Sequence, residues 1–85
     1  MKIPNKVKIG AHSYKVVVKE LEGKLGELNR EKGLLVLEKR VIPSERYVAF
    51  IHEVLHGINT ELEHETVDAL AQQLTSFLLD NKLLK

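Results

Sequence analysis

The chain lacks cysteine and tryptophan, has only two prolines, and carries almost no net charge, with 13 Lys and Arg against 12 Asp and Glu. Without cysteine there is no disulfide framework and no thiolate metal cluster, so a metal would have to be held by His and carboxylate. No apolar run approaches the roughly 18 residues of a membrane span, and no membrane partner is expected. The formal charge of +1 speaks against a nucleic-acid or anionic-lipid binder, whose mark is a basic excess. Lys and Arg are spread along the chain and interleaved with Glu, as on a solvated surface. The start, Met1-Lys2-Ile3-Pro4, has no apolar stretch behind it and does not read as a signal peptide. A cytoplasmic location is expected.

What the chain does have is 44% hydrophobic residues in a length of 85. That supports a single domain over residues 1–85, with a small core burying about 60% of the unfolded surface. The period of the apolar pattern changes near Pro43. Before it the pattern is strand-like. Val7 and Ile9 alternate with lysines, Gly10 to Ser13 turns, and Tyr14 to Lys19 is aromatic and β-branched. This predicts a hairpin of about 6–9 with 14–20. A second hairpin is predicted from Leu25–Leu28 through Gly33 to Leu34–Lys39. Lys15, Lys19 and Lys39 are expected to guard a sheet edge.

After Pro43 the pattern is helical. Ser44 is the expected N-cap, and Tyr47, Val48, Ile51, Leu55, Ile58 and Leu62 form the expected core stripe. A second helix begins near residues 63–66. Its stripe is Val67, Leu70, Ala71, Leu74, Phe77 and Leu78, and it stops at Asn81, with Lys82 to Lys85 expected to fray. The short link makes the helices antiparallel. The fold class is α+β: a small antiparallel sheet of two hairpins followed by two antiparallel helices.

The first helix contains His52-Glu53-Val54-Leu55-His56, an H-E-x-x-H. Residues i and i+4 share a helix face, so His52 and His56 can aim two imidazoles at one Zn²⁺. Glu53 lies about 100° round the helix, placed for a metal-bound water rather than the metal. A carboxylate there can take the water's proton as general base. A third ligand is needed. Glu61, Glu63, His64, Glu65 and Asp68 are the candidates downstream. Helix levels favour Glu65 and Asp68. Glu65 points away from its helix's apolar stripe, Asp68 lies nearer its edge, and the residues alone leave the choice open. His64 also suits a solvated helix start or an oxyanion donor.

Ile51 to Ile58, with Glu65-Thr66-Val67-Asp68-Ala69-Leu70-Ala71 and Asp80-Asn81, resembles the small phage-type zincins related to the ImmA/IrrE metallopeptidases and minimal gluzincins. The resemblance covers about residues 44–82. It implies a zincin-like fold and a zinc metallopeptidase, with a downstream glutamate as third ligand, which maps to Glu65. Asp68 would then be an alternative ligand or a partner fixing a histidine tautomer. The implied partner is a peptide or protein substrate, of which a transcriptional repressor is one kind. The peptide would lie along a sheet edge, with the 34–39 strand as the expected site. The non-enzymatic alternative is a zinc-stabilised protein-interaction or phage regulatory module.

Overall fold

The computed structural model describes residues 3–83; Met1, Lys2, Leu84 and Lys85, and with them part of the end expected to fray, lie outside it. Four strands precede two helices: β1 Lys6–Ile9, β2 His12–Lys19, β3 Gly26–Asn29, β4 Leu34–Glu38, α1 Pro43–Ile58 and α2 His64–Asp80. Both hairpins form. β1 pairs antiparallel with β2, and β3 antiparallel with β4. Their sheet is not purely antiparallel, because β2 and β4 pair in parallel from Lys15↔Leu34 to Lys19↔Glu38, giving the order β1-β2-β4-β3.

The sequence of β4 explains this order. Leu34-Leu35-Val36-Leu37 is apolar on both faces, the pattern of a strand covered on both sides. Leu35 and Leu37 face the helices and are fully buried with Tyr14. Val36 faces the other way and is buried too. A strand like this gains from a central place. The shorter, more polar β3 takes the edge instead. Lys15 and Lys19 therefore sit on a central strand rather than at an edge, and Lys39 lies beyond β4. The edge of β4 expected to receive a peptide is occupied on both sides.

The β2–β3 link is tied to the end of β4. Glu38 is buried, and its Oε1 accepts from the Leu21 N–H at 2.8 Å. Arg40 Nη2 donates to the Leu21 carbonyl at 2.6 Å and to Glu38 Oε1 at 2.7 Å. Arg40 Nε and its backbone N–H both reach Glu38 Oε2. Both backbone groups of the buried Leu21 are thus satisfied by one ion pair. The Arg40 side-chain bonds, then the Leu21 N–H, hold the Glu38 carboxyl far below the usual carboxylate range. A depressed carboxyl contributes stability that is present above about pH 4.5 and is lost as pH falls toward its folded value. Urea denaturation across pH 2–6 should therefore show a steeper acid loss for the wild type than for Glu38→Gln. Equal slopes would remove Glu38 from the acid response.

α1 starts two residues earlier than the expected Ser44 cap implies. Ile42 is the N-cap without a side-chain bond, and Pro43 opens the helix, where its missing N–H costs nothing. The covered face of α1 also differs from its Leu/Ile/Val stripe. Tyr47, Ala49, Phe50, His52 and Glu53 are buried, whereas Ile58 is exposed. α1 packs against β1, β3 and β4 on one side and α2 on another, so its small residues carry the close approach to the sheet. A side chain on Gly57 would stand 3.1 Å from Ile9 and 3.3 Å from Leu28. α2 touches only α1. Only Val67, Ala71 and Thr75 are buried on it, and Leu70, Leu74 and Phe77 of the expected stripe remain exposed.

Candidate metal centre

His52 and His56 lie one turn apart on α1, and α2 returns antiparallel with His64 as its first residue. The ring centroids are 4.6 Å (His52–His56), 4.7 Å (His52–His64) and 5.8 Å (His56–His64) apart. One ring nitrogen from each histidine lies within 4.8 Å of the other two, close enough for the three to share a metal ion. His52 is buried, His56 half-buried and His64 exposed. The set therefore opens outward at His64.

Asp68 stands one turn beyond His64. Its Oδ1 is 2.8 Å from His52 Nδ1, and its Oδ2 is 3.5 Å from His64 Nε2. The His52 Nδ1–H donates to this carboxylate, which leaves a lone pair on Nε2. That Nε2 lies 2.9 Å from His56 Nε2. A tetrahedral Zn²⁺ would set two such nitrogens about 3.3 Å apart, from Zn–N bonds of about 2.05 Å, so a few tenths of an ångström of side-chain movement brings this pair to the spacing of two ligands. Burial lowers the His52 pKa, and Asp68 opposes that shift. Neutral imidazole is the form a metal needs. The donor set thus fits a borderline-soft dication.

Glu65 is not in this group. It is exposed and lies about 100° further round α2 than His64, on the side away from His52 and His56. The resemblance pointed to Glu65; among the described residues it is His64 that stands with His52 and His56. Glu61 and Glu63 are exposed in the link. The cue for His64 was in the sequence: His64 and Asp68 are i and i+4, so one helix face carries both.

Glu53 faces the sheet, 8% exposed, and no hydrogen bond to its side chain occurs among the described residues. Burial pushes its carboxyl up to about 7, against the opposing effects of His64 and Lys24. It lies on the floor of a cleft of about 380 Å³, which His52, His64, Asp68 and Gln72 line on the helix side. The opposite wall is the link segment Gly23-Lys24-Leu25-Gly26. Gly26 is a site residue that the sequence marked only as punctuation. A Cβ there would stand 3.0 Å from Glu53 Oε2 and 3.1 Å from its Cγ. Gly26→Ala should displace the carboxylate and cost on the order of 1–2 kcal/mol by overpacking, read as a fall in the urea midpoint. An unchanged midpoint would mean that the wall yields.

Comparison with protein-family models, with curated proteins and with solved structures finds no match for this chain, so its function has to be read from the three histidines, Asp68 and Glu53 themselves.

Proposed function

We propose that the protein is a zinc-dependent peptidase whose metal is held by His52, His56 and His64. The observation that carries this is the convergence of three imidazoles beside a free, buried carboxylate in one cleft. Bound there, Zn²⁺ would supply Lewis acidity, polarising a carbonyl and lowering the pKa of water to around 7. Asp68 holds His52 in the tautomer that presents Nε2. Glu53 takes a proton from the attacking water and gives it to the leaving amine. A peptide would lie extended in the cleft and pair with β3, the edge strand beside Glu53, instead of the occupied edge of β4. A regulatory protein such as a repressor is a substrate of the right kind, because an unfolded stretch of it can enter so small a cleft.

The second reading is a zinc-stabilised interaction module without turnover. It is favoured by the packing of α2, which among the described strands and helices contacts α1 alone. An ion shared by His52, His56 and His64 would join the two helices.

The test is direct. Purified protein is titrated with Zn²⁺, then incubated with unfolded casein with and without chelator. Stoichiometric zinc with chelator-sensitive cleavage supports the peptidase. Zinc without cleavage, with a thermal midpoint that collapses in chelator, supports the module. Absence of zinc binding overturns both.

A further inference from the structure

The net charge of +1 hides two opposite blocks, with Lys82 and Lys85 beyond them. Up to residue 46 the chain holds 11 Lys and Arg against 6 Glu; from 47 to 81 it holds 6 carboxylates and no Lys or Arg. The first group builds the sheet layer and the second the helix layer. The interleaving of Lys and Arg with Glu therefore holds only up to residue 46, and net charge is a poor guide to this surface.

Four of the lysines share one face. On β1, Val7 and Ile9 turn to the core, so Lys6 and Lys8 point the other way. On β2, Tyr14 and Val16 turn to the core, so Lys15 and Lys19 share that outer face. Lys6 is directly opposite Lys15 in the register. Like charges directly opposite destabilise a sheet, so this pairing is not explained by folding. All four lysines are exposed. None forms an ion pair among the described residues, whereas Lys24 and Arg40 each have a Glu partner.

We propose that this face, Lys6, Lys8, Lys15 and Lys19, binds the phosphate backbone of a nucleic acid without reading its sequence. Protein-binding surfaces need a desolvated apolar or aromatic centre and are poor in lysine. Here the lysines border Ser13 and the half-buried Val17 on β2, with Leu34, Val36 and the Arg40-paired Glu38 of β4 in the next row, and no aromatic side chain lies among them. A polyanion needs no such centre, because binding is driven by release of its counterions. Lysine ammonium groups act as point charges, without the planar fork that reads guanine. The exposed carboxylates of the helix layer, among them Glu61, Glu63 and Glu65, turn away from the polyanion and orient the molecule on it.

The test is fluorescence anisotropy of a labelled random-sequence DNA duplex with the full chain, from 50 to 200 mM KCl. The expected result is micromolar binding at 50 mM, with a log–log salt slope of about −3 to −4 for four phosphate contacts. That slope weakens binding by on the order of a hundred-fold across the range. Lys6→Gln/Lys15→Gln should reduce the slope by about two, with zinc affinity and circular dichroism unchanged as fold controls. Lys24→Gln should leave the slope alone. Absence of binding at 50 mM KCl overturns the proposal. So does binding that the double variant leaves intact, and so does binding to phosphatidylserine vesicles without binding to DNA. None of these results bears on the zinc site.

Discussion

His64→Ala is expected to weaken Zn²⁺ binding by about a hundred-fold or more, while Glu65→Ala leaves it unchanged. Loss of a hydrogen-bonded partner around a metal already costs about 10- to 100-fold, and loss of a ligand costs at least as much. The geometry separates the two neighbours. His64 offers a ring nitrogen to the group shared with His52 and His56, and Glu65 does not. Asp68→Asn should fall between them, because it weakens the hold on His52 Nδ1 without removing a ligand. Competition with a fluorescent zinc chelator measures all three. If Glu65→Ala released zinc and His64→Ala retained it, the ligand set would be wrong and the start of α2 would have to rotate. The His64 variant should also lose the thermal stabilisation that zinc confers, since the ion would no longer join α2 to α1.

Glu53→Gln should keep zinc and lose hydrolysis by roughly 10²- to 10⁴-fold, the usual contribution of a positioned base. Glutamine has the size of glutamate and cannot take the proton. Zinc loss in this variant would contradict the placement of Glu53 outside the ligand set. The variant has a second readout, in metal-free protein. The Glu53 carboxyl is raised to about 7, from an ordinary 4.5. A raised acid favours the protonated folded state, so its contribution to stability is present below about pH 4.5 and is lost as pH rises through 7. His52 acts in the opposite sense, because its pKa is lowered and charging it at acid pH opposes folding. The comparison with Glu53→Gln isolates the glutamate. From pH 5 to pH 8 the wild type should lose about 2 kcal/mol relative to the variant, allowing for partial solvent access. Bound zinc should remove most of that difference, since a nearby dication favours the carboxylate. Parallel stability profiles for the two proteins would show that Glu53 is not desolvated.

The strands, both hairpins and both helices were legible before any coordinates, because apolar spacing reports which local period a segment can bury. Pro43 and Asn81 marked helix ends for reasons internal to the chain. The site was half legible. His52 and His56 sit on one helix at a spacing that fixes their relation. The third member of the cluster depends on how a second helix docks: the resemblance pointed to Glu65, and the side chain that stands beside His52 and His56 is that of His64. The objection to Glu65 was physical and available: it faces away from the stripe that packs on α1. Gly26 and the 23–26 wall were not legible, because only the parallel pairing of β2 with β4 carries the link across to face Glu53.

The sequence by itself determined the element types, the α+β class and the His52–His56 pair, since each follows from residues within one turn or one strand of each other. Only the tertiary structure decided that the sheet is mixed, that His64 joins the pair, that a glycine leaves room for Glu53 and that lysines from two strands share one face of the sheet. Each of these compares segments distant along the chain. Their relative placement is set by which apolar faces can be buried together, and no local pattern contains that sum.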